Sequence, residues 1–187
     1  DILIRSSNIG TLMLAKKVGE EDYKDFIKET KLLKVPQFEL EELGTPLNFK
    51  WNKCKLETIS FGHGIAVTPL QATATYAALS NGGHLVIPTL LRKEKNINKK
   101  RIISKETSKE INSILRKVVT EKEGTASLAD VYGYEVGGKT GTSQKYGNKK
   151  ENLNTFISIF PSNNPKYALL IMLENPKVAP NLIYNYR

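Results

Sequence analysis

The chain has 187 residues, enough for one sizeable core, and its 40% hydrophobic and 25% charged content is that of an ordinary globular domain. It carries a formal charge of +9 at pH 7, and no window approaches the roughly 18 uninterrupted apolar residues that a membrane-spanning helix needs. Cys54 is the lone cysteine, and His63 and His84 are the two histidines. That inventory excludes a disulfide framework and a metal cluster, so no metal or other cofactor is expected.

The chain starts at Asp1-Ile2-Leu3-Ile4 without an initiator methionine, as if inside an element. It is therefore expected to be a piece of a longer protein, with any export signal or anchor upstream. Ser6-Ser7-Asn8 then reads as the loop and cap of a first helix. Ile9, Leu12, Met13 and Val18 fall near helical spacing, and Gly19 is a plausible stop. A second helix is expected from Glu21 to Lys31, with Tyr23, Phe26, Ile27 and Leu33 towards the core. Residues 33–55 contain Pro36, Gly44 and Pro46 and no sustained period, which predicts irregular structure. A glycine-rich turn follows at Ile59-Ser60-Phe61-Gly62-His63-Gly64-Ile65-Ala66-Val67.

Thr68-Pro69-Leu70-Gln71 opens a third helix with Thr as cap and Pro at its first position. The helix runs through small residues to Leu79, stops at Asn81-Gly82-Gly83, and is expected to be fully buried. The densest positive patch comes next, Arg92 to Arg101 with Lys93, Lys95, Lys99 and Lys100. No aromatic residue interleaves with it and no nucleic-acid motif accompanies it, so a solvated loop is expected and no nucleic acid partner. A basic face also suits anionic lipid or a carboxylate-bearing polymer.

Ser104 caps a further helix through Ile111, Ile114, Leu115, Val118 and Val119, which breaks at Glu121-Lys122-Glu123-Gly124. A short helical piece at Thr125-Ala126-Ser127-Leu128-Ala129 precedes three strands. The first is expected to start at Tyr134-Glu135-Val136 and to carry Gly137-Gly138-Lys139-Thr140-Gly141-Thr142-Ser143. The second is Thr155 to Phe160 and the third Tyr167 to Leu173, joined by a hairpin-type turn at 161–165. Helices followed by an antiparallel meander make an α+β fold.

Within this order, Ser6-Ser7-Asn8 opening a helix and Lys139-Thr140-Gly141 on a strand resemble two signature clusters of penicillin-binding proteins and serine β-lactamases. Phe61-Gly62-His63-Gly64, Thr68-Pro69-Leu70-Gln71, Gly124-Thr125-Ala126 and Gly138-Lys139-Thr140-Gly141-Thr142 together resemble class B penicillin-binding proteins. The Phe-Gly-His-Gly form is closer to the septal, division-type transpeptidases than to the elongation type. The resemblance implies that residues 1–187 are the C-terminal portion of one transpeptidase domain, with part of the penicillin-binding protein/serine β-lactamase-like fold. It also implies a D,D-transpeptidase that acts on peptidoglycan stem peptides and binds β-lactams. The setting implied is the periplasmic side of the bacterial inner membrane, reached through an upstream anchor, with other division proteins as possible partners.

Carried over residue by residue, the resemblance gives each polar group a task. Ser6 would relay a proton to or from the amine, as general acid–base catalysis requires. Asn8 would hold the donor peptide backbone and help to fix the catalytic lysine. Lys139 would supply positive potential, and the Thr140 and Thr142 hydroxyls would donate to the substrate carboxylate. Gly141 would leave room for substrate along the strand. The Thr142 N–H would be one oxyanion donor, worth about 3–4 kcal/mol in comparable acyl-transfer sites. A β-lactam, as an extended peptide mimic, would pair with the strand edge. Ser7 receives no role.

The family takes its nucleophile and general base from a Ser-x-x-Lys helix, and no serine in this sequence has Lys three positions on. The chain is accordingly expected to be the C-terminal portion of a transpeptidase domain, inactive by itself, with apolar surface left exposed on the meander. One alternative is a class D β-lactamase or β-lactam sensor, whose Tyr-Gly-Asn motif Tyr146-Gly147-Asn148 imitates in the wrong order. Another is a non-catalytic basic binding module.

Overall fold

The computed structural model describes residues 1–40, 51, 55–92, 100–144 and 151–177. Helix α1 spans Asn8–Val18 and α2 spans Glu20–Thr30. A short α3 covers Lys55–Ile59, α4 covers Pro69–Ser80 and α5 covers Lys105–Thr120. A single 3-10 turn, Ser127–Ala129, leads into strands β1 (Gly137–Gln144), β2 (Asn152–Phe160) and β3 (Tyr167–Glu174). The strands form an antiparallel sheet in the order β1-β2-β3, so β1 lies at one edge. The α+β arrangement is the expected one.

The caps explain why the helices begin where they do. Ser7 Oγ accepts the Gly10 N–H at 3.1 Å, and Ser104 Oγ accepts the Thr107 N–H at 3.0 Å. Thr68 and Gln71 form a reciprocal capping box: the Gln71 N–H donates to Thr68 Oγ1 at 3.2 Å, and Gln71 Oε1 accepts the Thr68 N–H at 2.9 Å. Gly19 ends α1 at φ 92°, a conformation that glycine adopts without a side-chain clash.

The core sits where α5 meets the sheet. Ile4, Val118, Val119 and Ala126 are buried together, with Phe156 and Ala129 packed against them. Helix α5 lies on β1, and α4 lies on β2 and β3. Gly137 permits that approach, because a Cβ there would stand 3.0 Å from the Arg116 nitrogen and 3.2 Å from the Leu115 carbonyl carbon. Polar residues on the inner face of α5 close off the end of α4. Ser108 Oγ donates to the Leu79 carbonyl at 2.6 Å, and Asn112 Nδ2 donates to the Ser80 carbonyl at 3.0 Å. These are the carbonyls that a helix end leaves without internal partners.

Several expectations change. Strand β1 begins at Gly137, not Tyr134, because residues 132–134 form a turn and the backbone is left-handed at Gly133 (φ 82°) and Glu135 (φ 52°). Helix α4 is not fully buried: Gln71, Ala78 and Ser80 are, and its other residues are half-exposed or exposed. Helix α3 fills the gap between the stretch expected to be irregular, which ends at Lys55, and the glycine-rich turn that starts at Ile59, where no helix was expected. The apolar spacing on α1 does not mark a buried face, since Ala15 is its buried residue while Ile9 and Met13 are 70% and 62% exposed. Tyr23, Phe26, Ile27 and Leu33 are half-buried, and Thr30 is the buried residue of α2.

Cys54, residues 93–99 of the basic run and the Tyr146-Gly147-Asn148 turn lie outside the described residues. Of the run's described cations, Lys100 pairs with Glu29 at 2.9 Å, and Arg101 Nη2 lies 2.9 Å from His84 Nε2.

Candidate active-site cleft

The Ser6 turn is built by local hydrogen bonds: Arg5 N–H to Asp1 O at 2.9 Å and Ser7 N–H to Ile2 O at 2.9 Å. Ser6 itself adopts φ 57°, the left-handed region, where a residue with a Cβ carries about 1 kcal/mol or more of strain. Gly10 lets α1 pack down onto this turn, because a Cβ there would meet the Ile2 side chain at 2.7 Å. Ser6 is thus held at a sharp corner immediately before the first helix.

Lys139 approaches that corner from β1. Its Nζ donates to Ser6 Oγ at 2.9 Å, joining two clusters 133 residues apart. It also donates to the Thr140 carbonyl at 2.9 Å and lies 3.4 Å from Thr140 Oγ1. None of the ion pairs among the described residues includes Lys139. Burial without a carboxylate partner pulls its ammonium below the ordinary lysine pKa. The result is an uncompensated positive group beside a serine hydroxyl, at the edge strand of the sheet.

Thr140 continues the network: its Oγ1 donates to Thr125 Oγ1 at 2.9 Å. The Thr125 N–H in turn donates to the Ile4 carbonyl at 3.3 Å, beside the Ser6 turn. Arg5 pairs with Glu123 across the same junction. Gly124 allows the chain to turn back on α5, since a Cβ there would lie 2.2 Å from the Val118 carbonyl oxygen.

Of the residues marked from sequence, the structure brings together Ser6, Lys139 and Thr140. Asn8 is exposed at the first position of α1, and among the described residues no hydrogen bond joins its side chain to β1. Thr142 is exposed two residues beyond Thr140, opposite Asn154 on β2. A Cβ on Gly141 would meet Thr155 Oγ1 at 2.6 Å, so packing within the sheet also favours glycine there. The link between Thr125 and Thr140 was missed. In sequence Thr125 stands out as the residue after a helix-breaking glycine and as the centre of Gly124-Thr125-Ala126, one of the stretches that carry the family resemblance, and neither feature points to Thr140.

A family model described as the penicillin binding protein transpeptidase domain matches residues 1–185. The chain is 35% identical over 97% of its length to a probable peptidoglycan D,D-transpeptidase FtsI of Caulobacter vibrioides, covering 33% of that protein. It is 33% identical over 95% of its length to stage V sporulation protein D of Bacillus subtilis, covering 30% of it. The chain thus spans about a third of the length of these curated relatives. Among solved structures, penicillin binding protein 3 of Mycobacterium tuberculosis complexed with aztreonam is similar, with a TM-score of 0.85 and 30% identity. That match covers 94% of this chain and 44% of the other.

Proposed function

The chain belongs to the penicillin-binding protein transpeptidase family, with FtsI-type class B relatives, and from that membership we propose that it forms one wall of a D,D-transpeptidase cleft. The reaction is serine acyl transfer on D-Ala-D-Ala stem peptides of peptidoglycan, blocked by β-lactams. The reading is supported above all by the 2.9 Å hydrogen bond from Lys139 Nζ to Ser6 Oγ, which unites the Ser-x-Asn and Lys-Thr-Gly clusters. The enzyme is of the division type and works on the periplasmic side of the cytoplasmic membrane. Among the described residues no helix is long and apolar enough to cross a membrane.

The chemistry follows from the arrangement. The nucleophilic serine and its base come from a Ser-x-x-Lys that the 187 residues do not include. Lys139, half-buried and unneutralised, draws the substrate's terminal carboxylate to β1. The Thr140 and Thr142 hydroxyls complete that cradle, and the Thr142 N–H at the edge strand faces the developing oxyanion. Ser6 passes a proton between the base and the departing or attacking amine, and the Lys139 ammonium keeps its oxygen poised for that exchange. Asn8, exposed beside the Ser6 corner, holds the backbone of the donor peptide.

The test is covalent labelling with a fluorescent penicillin. Protein expressed from the complete gene is expected to be labelled, and Ser6→Ala is expected to slow labelling by roughly 10²–10⁴-fold, the span of a general acid–base contribution. The 187-residue chain alone is expected to remain unlabelled. An unlabelled complete protein would overturn the transpeptidase reading, and a labelled 187-residue chain would overturn the assignment of the nucleophile.

A further inference from the structure

Thr125 is a polar residue of the cleft to which the transpeptidase reading gives no task, and its geometry supplies one. Thr140 Oγ1 is reached from one side by Lys139 Nζ at 3.4 Å and from the other by Thr125 Oγ1 at 2.9 Å. A hydroxyl has one proton to give and can accept from its other side. Next to an ammonium, which only donates, the Thr140 hydroxyl directs its proton to Thr125. In that state it has no proton to offer an incoming anion.

We infer that Thr125 is a positioning residue which reverses this hydrogen bond when a carboxylate enters. In the empty cleft Thr125 accepts from Thr140. With a carboxylate at β1, the Thr140 proton turns towards the anion and the Thr125 hydroxyl donates to Thr140 in its place. No proton leaves either oxygen, because both hydroxyls only rotate. The chain then runs Thr125 to Thr140 to carboxylate, and each donor polarises the next. Without Thr125, Thr140 would lose the partner that supports its donor role.

The backbone is built to hold Thr125 in place for this. Its N–H is committed to the Ile4 carbonyl at 3.3 Å. The following Ala126 N–H goes to the Val118 carbonyl at 3.2 Å, on the C-terminal turn of α5. Arg5 and Glu123 pair across the same junction. The threonine therefore sits on a loop anchored at once to the Ser6 turn and to α5, within reach of β1. This inference rests on the transpeptidase reading for the identity of the anion, the terminal carboxylate of a D-alanyl peptide, but its test does not depend on acylation.

The probe is N-acetyl-D-alanyl-D-alanine, compared with its methyl ester, which keeps the peptide and removes the charge. Binding is followed through the Thr140 and Thr142 amide signals of protein expressed from the complete gene. Thr125→Val keeps the shape and removes the hydroxyl; Thr125→Ser keeps the hydroxyl. Thr125→Val is expected to bind the acid about twofold to fourfold more weakly, the share of a charge-assisted hydrogen bond that a polarising neighbour supplies. Its ester affinity is expected to be unchanged, its Tm to fall slightly with the loss of the Thr140–Thr125 hydrogen bond, and Thr125→Ser is expected to bind the acid as the parent does. Equal loss of acid and ester binding would reduce Thr125 to a structural residue and overturn the inference. Unchanged acid binding in Thr125→Val would do the same, as would a parent protein that does not prefer acid to ester. Penicillin labelling reports separately on the transpeptidase reading, so the two can fail independently.

Discussion

Lys139 is where the site's electrostatics can be read most directly. Its ammonium is partly removed from water, and the groups it touches are a hydroxyl and a carbonyl, neither of which repays the lost hydration as a carboxylate would. The fold therefore holds this proton less tightly than the unfolded chain does, where the ordinary value is 10.5. With fewer protons bound in the native state, stability must rise with pH between the lowered folded value and 10.5. Below that interval the full cost of burying the charge is present. Lys139→Met removes the cost, so the variant is expected to melt above the parent at neutral pH, with the gap closing as pH approaches 10.5. A gap that stayed constant or widened with pH would mean that burial does not perturb this lysine. The same cost is what the site uses, because a carboxylate bound at β1 would relieve it. The anion's affinity should accordingly fall as pH rises through the Lys139 pKa.

Among the elements, α4 shows how closely four letters can specify a local structure. In Thr-Pro-Leu-Gln the cap hydroxyl, the preset φ of proline and the returning amide act on the same first turn. Thr68→Ala is expected to destabilise the protein by about 1 kcal/mol, through loss of the cap hydrogen bond. Chemical denaturation measures this directly, and an unchanged midpoint would mean that tertiary packing alone sets the start of α4. Caps of this kind, with the apolar, β-branched and aromatic runs of β2 and β3, make most of the fold legible in the sequence. Other features were not legible, for physical reasons. Tyr134 and Val136 are good strand formers, yet the left-handed backbone at Gly133 and Glu135 turns the chain before β1 can begin. Ser108 and Asn112 look like solvent-facing polar residues of α5, and they are buried because the end of α4 needs their donors. The meeting of Ser6 with Lys139 was expected only through family resemblance. The Thr125–Thr140 pair joins two elements 15 residues apart, and no local periodicity records such a contact.

At the scale of the whole molecule, the described residues bury a small core and leave two apolar surfaces open. One lies on α1, where Ile9, Met13, Leu14 and Val18 are 70%, 62%, 47% and 52% exposed. The other lies on the edge strand β3, where Tyr167, Leu169, Ile171 and Leu173 are 63%, 45%, 46% and 56% exposed. These four alternate along the strand, so they share one face of the sheet. Scattered apolar residues are normal on a protein surface, but a row along an edge strand offers both unpaired backbone and apolar area to another chain. The 187-residue chain purified alone is therefore expected to self-associate and to bind a hydrophobic dye, and its thermal transition should be broad. Replacing Leu169 and Ile171 by Lys puts two charges on the exposed face and should reduce both association and dye binding without disturbing Ile157 and Ile159 in the buried part of β2. A monomeric parent chain with a sharp transition and no dye binding would show that these faces are harmless in water. The association of β3 would then have to be discarded, and the core around Val118, Val119 and Phe156 credited with holding the fold unaided.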